Sequence, residues 1–494
     1  AQLPQDGVHV YLTDTLESPY QTPPHYPMLY KQLAEEHQRA QEVKAHVPVL
    51  VCLGNPPYDR QQIQPEERGL VRRKGGWVRY SEPGKEGAAI LIDFLKPLAT
   101  LGLGVHAKNL YNDYVYFWRW ALWKVFENKD GPGIVSFITA SSYLRGPGFA
   151  GMRQVMRQTF DDLWIIDLEG DNLGARKTEN VFAIQTPVAI AVGVRYGEPR
   201  PETPASVYYT RISGTQEEKL KTLEQVTCSA DLPWRVCLPG WTDPFLPTSD
   251  KPYWSWPLLT DLFPWQENGV QFKRTWPIGE TQEVLDERWR AFLKAAPEER
   301  AKLFHLTRDR NLTRGFLDPL TRQRLPALGS LKPRESCPRP IRYAYRSFNR
   351  QWALLDGRLS DFPRPNLLKA QSDRQVYLTS LLTEVLGEGP AGVATACIPD
   401  LHHFRGSFGG AHVIPLWRDA AATEPNLTAG VLMVLSQAYG QPVTAENLFA
   451  YCYAVLASPE YVRRFWDELT IPGPRLPLTQ NAARFARAAD LGRR

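Results

Sequence analysis

VLVCLGNPPYDR, Val49 to Arg60, is the stretch on which the reading of this chain turns. VPVLVCL (47–53) is an apolar run of strand length, of the kind expected for a strand buried on both faces of a parallel sheet. It ends at Gly54 and passes at once through Asn55, Pro56, Pro57 and Tyr58. Each proline fixes its own φ and lacks an N–H, so the turn is stiff and its carbonyls are available as acceptors. In open α/β sheets, ligands bind beyond the carboxyl ends of the strands. The Asn55 side-chain carbonyl and the Pro56 backbone carbonyl supply two acceptors, and Tyr58 supplies a flat face beside them. That combination suits an –NH2 group on a planar ring. The two acceptors take its hydrogens, the nitrogen lone pair leaves the ring plane, and the aromatic face stacks the ring. An amine held this way needs only in-line positioning to attack an electrophilic methyl.

The surrounding 200 residues alternate between strand and helix patterns. HVYLT (9–13) reads as a short strand, residues 28–46 as a helix, and Asn109 to Asn128 as one long helix. GIVSFIT (133–139), DLWIIDL (162–168) and TPVAIAVGV (186–194) read as strands. This rhythm predicts a mostly parallel sheet with helices on both faces. Beyond GEPRPETP (197–204) it breaks, and proline- and tryptophan-rich segments take over. Helical patterns return at 280–304 and 427–470. The predicted division is 1–200, 201–420 and 421–494.

The 494 residues are ample for two or three domains. A net charge of +5 permits a nucleic-acid partner without requiring one. The six cysteines form no CxxC pair, which suggests neither a zinc ribbon nor a disulfide framework. No apolar run is long enough to span a bilayer, so no membrane partner is expected. His402, His403 and His412 lack supporting cysteine or carboxylate spacing, and no metal site is expected from them. The chain opens at Ala1 inside what reads as a working segment, and is expected to be part of a longer polypeptide.

The tetrapeptide and its neighbours resemble N6-adenine DNA methyltransferases. LTDTLE (12–17) looks like the segment whose acidic residue holds the adenosine part of S-adenosylmethionine, which assigns that role to Asp14. NLYNDYVYFW (109–118) looks like the helix behind the cofactor, with Tyr111 and Tyr114 as candidate contacts; the bland reading of both is core packing. ENVFAIQTPVAIAV (179–192) looks like the segment whose aromatic residue meets the flipped adenine, here Phe182. HAKNLYNDYVYFWRWALWKVFEN, RPIRYAYRSFNRQW (339–352), CIPDLHHF (397–404) and LFAYCYAVLASPEYVRRFWDEL (448–469) resemble the single-polypeptide Type ISP restriction-modification enzymes. The resemblance implies an α/β, incomplete Rossmann-like methyltransferase sheet, followed by an α+β target-recognition domain with a helical C-terminal part. It implies S-adenosylmethionine as methyl donor, double-stranded DNA as partner, and a prokaryotic, cytoplasmic setting. The family's glycine-bearing cofactor loop, helicase and nuclease are absent from the sequence. They would be linked upstream in the parent protein.

For DNA, the polar stretch 59–87 offers Arg72, Arg73 and Lys74 as phosphate contacts. Arg342, Arg346 and Arg350 alternate with Tyr343, Tyr345, Phe348 and Trp352. The arginines could pair with guanine or phosphate, and most of these aromatics read as local core. Two alternatives stay open: a recognition fragment that binds DNA without catalysing, and a methyltransferase acting on a protein glutamine amide, whose planar –NH2 poses the same problem.

Overall fold

The computed structural model describes residues 8–20, 31–58, 75–81, 89–128, 130–172, 176–247, 252–319, 321–404, 410 and 412–494. The chain forms two compact units. The first comprises Ala1–Leu173 with Lys177–Thr248, and the second Gly174–Arg176 with Ser249–Arg494. No helix among the described residues is long and apolar enough to cross a membrane.

The first unit is built on a six-stranded sheet. Its strands are β1 (Val51–Gly54), β2 (Gly133–Ala140), β3 (Asp162–Asp167), β4 (Val188–Arg195), β5 (Ser206–Arg211) and β6 (Arg235–Val236), in the order β1-β2-β4-β3-β5-β6. Its helices are α1 (Lys31–Ala45), α2 (Gly76–Tyr80), α3 (Ile92–Thr100), α4 (Asp113–Leu122), α5 (Ala150–Thr159) and α6 (Gln216–Glu224). The mixed α/β class is as expected, but the sheet is less parallel than the sequence pattern predicts. β4 runs antiparallel to both its neighbours. The cause is the connection. A parallel return needs a crossover, and α5 supplies one between β2 and β3, whereas the described residues of 168–187 contain no helix.

Three further expectations are corrected. β1 is not buried on both faces: it pairs only with β2, and Val51 and Leu53 are 45% and 72% exposed. HVYLT forms no strand; it has no partner strand among the described residues, and Val10 and Leu12 lie exposed. The long helix is three pieces: a 3-10 segment (Gly104–Leu110), α4, and a π-turn (Trp123–Glu127). The π-turn brings Lys124 under the entry to β1. Its ammonium donates to the carbonyls of Lys44 and Val47, both at 2.7 Å. Burial lowers its pKa to about 8. The predicted boundary near 200 also moves. β5 pairs with β3 along its whole length and β6 pairs with β5, so the first unit continues to Thr248.

The second unit holds two four-stranded sheets and a helical part. Its strands are β7 (Glu267–Asn268), β8 (Ile278–Gly279), a small hairpin of β9 (Phe316–Leu317) and β10 (Arg324–Leu325), β11 (Ile341–Arg346), β12 (Asn349–Ala353), β13 (Tyr377–Ser380), β14 (Gly392–Thr395), β15 (Ile398–Pro399) and β16 (His412–Pro415). The larger sheets run β15-β11-β12-β8 and β14-β13-β16-β7. The helices are α7 (Leu259–Leu262), α8 (Gln282–Lys294), α9 (Pro297–Phe304), α10 (Pro365–Lys369), α11 (Val431–Tyr439), α12 (Ala445–Ala457), α13 (Pro459–Arg464) and α14 (Ala482–Arg493). The helices after 420 do not separate from the sheets. Leu448, Cys452 and Phe485 share one core with Leu378, Val393 and Ile414. The boundary expected near 420 therefore disappears, because α12 has no apolar face of its own left to bury elsewhere.

Helix α5 crosses α3 at Gly151, where an added Cβ would overlap the Phe94 carbonyl. That atom is backbone and cannot rotate aside. Gly151→Ala is expected to lower the stability of the first unit by about 2 kcal/mol, measured by denaturant unfolding.

Candidate functional site

The parallel pairing of β1 with β2 sets Gly54 opposite Phe137, and Asn55 to Tyr58 leave the sheet at that end. Asn55 and Pro57 are exposed, Pro56 is buried and Tyr58 is half-buried. The Tyr58 hydroxyl lies 2.6 Å from Asn55 Oδ1 and 3.3 Å from the Ile138 carbonyl oxygen. Burial raises the Tyr58 pKa, so the phenol keeps its proton and acts as a donor. Asn55 Oδ1 thus spends one lone pair on Tyr58 and retains another. The hydroxyl fixes the plane in which that second acceptor site lies.

Tyr58 packs at the margin of an apolar cluster that includes Leu168, Val181, Ile184 and Val188. This cluster brings the Phe182 segment and the tetrapeptide together. Phe182 itself is 36% exposed, and its N–H donates to Asn180 Oδ1 at 2.9 Å. Asn180 is buried and donates to the carbonyls of Gly170 and Thr186 at 3.0 and 2.7 Å. One amide therefore pins both ends of the loop that presents Phe182. Sequence reasoning missed Asn180, although an amide two residues before an aromatic in a strand-free stretch is a turn signal.

The candidate cofactor residues are placed differently. The cluster carrying Tyr58 does not include Asp14, Tyr111 or Tyr114. Asp14 closes a turn: Oδ1 accepts from the Leu16 N–H, and its carbonyl accepts from Lys44 Nζ at 2.6 Å. Tyr114 is 2% exposed and packs against Tyr143 and Phe149, as its core-packing reading has it. Tyr111 is half-buried, with the Arg79 guanidinium 4.1 Å from its ring centroid. Between them, Asn112 is buried at the start of α4 and its Oδ1 has no hydrogen-bond partner.

Of the expected DNA contacts, Arg72, Arg73 and Lys74 lie outside the described residues. The other three sit on the β11–β12 hairpin and have distinct fates. Arg342 lies over the Trp352 ring at 4.6 Å. Arg346 donates to Asp400 Oδ1 at 2.8 Å and lies 3.9 Å from the Tyr345 ring centroid, so much of its charge is already committed within the fold. Arg350 is exposed on β12. Asp400 also accepts from the Tyr343 hydroxyl at 2.6 Å and from the His402 N–H at 2.8 Å. Tyr343, fully buried, is core as the sequence suggested. Nearby lies a cavity of about 700 Å³ whose described lining includes Arg346, Arg350, Arg374, Arg493, Arg494 and Glu446. Arg374 and the C-terminal arginines were not singled out by the sequence, because only tertiary packing brings them to the hairpin.

Residues 261–494 match the family described as the Type ISP C-terminal specificity domain. The fold of the whole chain is similar to that of a DrdV–DNA complex, at 21% identity and a TM-score of 0.63, covering 98% of this chain and 47% of that one. It is similar to the ATP-dependent Type ISP restriction-modification enzyme LlaBIII bound to DNA, at 18% identity and 0.62, covering 98% and 32%. A nuclease-deletion mutant of the Type ISP enzyme LlaGI, in complex with a DNA substrate mimic, gives 19% and 0.60, covering 98% and 37%. The chain thus spans less than half the length of each of these solved chains. No curated protein matches it.

His403 anchors the hairpin region from below. It is buried, and its Nδ1 lies 2.9 Å from Thr379 Oγ1, whose own hydrogen goes to the Val393 carbonyl. Burial, reinforced by Arg346, lowers its pKa from 6.5 to about 4. Above 6.5 the imidazole is neutral in both folded and unfolded chains. Between 6.5 and about 4 the unfolded chain takes up a proton that the folded chain refuses, so stability falls as pH falls through that window. The full depression corresponds to about 3 kcal/mol. Urea unfolding at pH 7 and pH 4.5 should show a smaller acid loss for His403→Gln than for the parent chain.

Proposed function

We propose that this chain is the methyltransferase and target-recognition portion of a restriction-modification enzyme. It would transfer a methyl group from S-adenosylmethionine to N6 of an adenine flipped out of duplex DNA. The observation that carries this reading is the turn after β1. There an exposed amide oxygen, oriented by a buried-side phenol, stands at the end of a parallel strand and beside the loop that presents Phe182. In this reading the second unit reads the target sequence, consistent with its match to a specificity domain. The parent protein would act in a prokaryotic cytoplasm and carry helicase and nuclease domains upstream.

The chemistry asked of these residues is modest. Asn55 Oδ1 and the Pro56 carbonyl accept the two amine hydrogens and turn the nitrogen lone pair out of the ring plane. Tyr58 and Phe182 hold the ring between them. As the N–C bond forms, the amine nitrogen becomes acidic and would lose one proton to water. When bound, S-adenosylmethionine would supply the methyl carbon, its sulfur keeping the electron pair of the broken C–S bond as a neutral thioether. Asn112, with its buried and unpartnered Oδ1, fits a hydroxyl or amine of the adenosine part, and Tyr111 offers a neighbouring ring. Asp14 keeps its expected role towards that same part as a proposal.

A second reading, a recognition module without catalysis, is favoured by one observation: the family match is confined to residues 261–494. A protein-glutamine methyltransferase remains the third.

The readings separate in one assay, methyl transfer from labelled S-adenosylmethionine to mixed-sequence DNA. Label on adenine N6 is expected, falling at least a hundredfold in Asn55→Ala. DNA binding without label would favour the recognition module, and label on a protein glutamine the third reading. Tyr58→Phe keeps the stacking ring and removes the hydroxyl that orients Asn55. It is expected to lower kcat about tenfold with little change in KM for DNA.

A further inference from the structure

The tip of the β11–β12 hairpin is built against its own local preference. The two turn residues are Ser347 and Phe348. Turns of this length favour glycine or asparagine where φ is positive. Here Phe348 takes φ +63°, a region in which a bulky side chain is an outlier. Its ring finds no shelter in return. It is 98% exposed, the most exposed large apolar side chain among the described residues.

The tip is nevertheless held firmly. The Ser347 hydroxyl donates to the His403 carbonyl at 2.6 Å. Tyr343 and Arg346 tie β11 to Asp400 from two sides. The register shifts between Ala344 and Arg346, a bulge that re-aims the strand just before the turn. A strained, exposed aromatic on a braced hairpin points to a contact made outside the molecule.

The surroundings define its chemistry. Phe348 lies on the wall of the arginine-lined cavity together with Arg350, two residues along, and Arg374, which pairs with Glu446 at 3.5 Å. An apolar ring among guanidinium groups suits a partner that is a polyanion outside and a stack of flat rings inside. Duplex DNA has that construction. Cations take the phosphates, and an apolar side chain enters between base pairs and partly unstacks them.

We propose that Phe348 is a wedge that inserts into the base stack of the bound duplex, while Arg350 and Arg374 hold the flanking phosphates. This rests on the reading of the second unit as a DNA-recognition region and adds to it how the duplex is deformed. A wedge of this kind selects for flexible base steps at positions that no side chain hydrogen-bonds.

The test uses the full chain and a duplex that the parent chain itself enriches from a random-sequence pool. 2-Aminopurine is placed at successive positions of that duplex. Binding of the parent chain should raise its fluorescence severalfold at one step away from the adenine that becomes methylated. Phe348→Ala should abolish that rise and weaken binding about tenfold, with an unchanged melting temperature and an unchanged salt dependence. Phe348→Trp should restore the rise. Arg350→Ala should keep the rise and reduce the salt slope by about one. Full unstacking by Phe348→Ala, or no unstacked step with the parent chain, overturns the wedge while leaving DNA recognition in place. Failure to enrich any duplex overturns the recognition reading, and the wedge with it.

Discussion

The parallel pairing of β1 with β2 is the constraint on which the candidate site depends. It fixes where the chain leaves the sheet, and so places Asn55 to Tyr58 next to the Ile138 carbonyl, whose oxygen lies 3.3 Å from the Tyr58 hydroxyl. The rest of the first unit holds that pairing in register. The π-turn after α4 carries Lys124 beneath the residues that lead into β1. β4 carries the return from the Phe182 loop, and its antiparallel course lets that loop meet the tetrapeptide without a crossover helix.

Much of this was legible where local chemistry dominates. A buried-type strand broken by Asn-Pro-Pro-Tyr can only be a turn at a strand end, and the turn is where it should be. The strand pattern of 133–139, 162–168 and 186–194 also holds. What failed was everything set by neighbours. An apolar run does not say whether it lies inside a sheet or at its edge, and β1 lies at the edge. Tyr111 and Tyr114 look alike in the sequence, yet three residues along the chain separate a half-buried ring from one sealed into the core. The antiparallel course of β4 departs from the expected mostly parallel sheet because hydrophobicity carries no sign of strand direction; the described residues of 168–187 hold no crossover helix.

The second unit shows the same limit in its arginines. Arg342, Arg346 and Arg350 alternate along one hairpin and cannot be told apart by spacing. The fold sorts them: one stacks on Trp352, one pairs with Asp400, and one stays at the surface beside residues contributed from far along the chain. The gathering of these arginines is thus set by topology, whereas the strained turn at Phe348 is a local feature written in two residues.

Among the described residues β1 has a partner strand on one edge only, and this has a mechanical meaning. The strand that carries the tetrapeptide is short, is bonded on one side, and shows apolar side chains to solvent. Its backbone is therefore restrained by one ladder alone, and the Asn55 amide follows directly on the last pair of that ladder, Gly54 with Phe137. Anything that completed the edge would stiffen the acceptor geometry without touching the substrate. The positional precision of the site would then be set by how fully the sheet is paired, so that assembly of the sheet and readiness of the amide would rise and fall together.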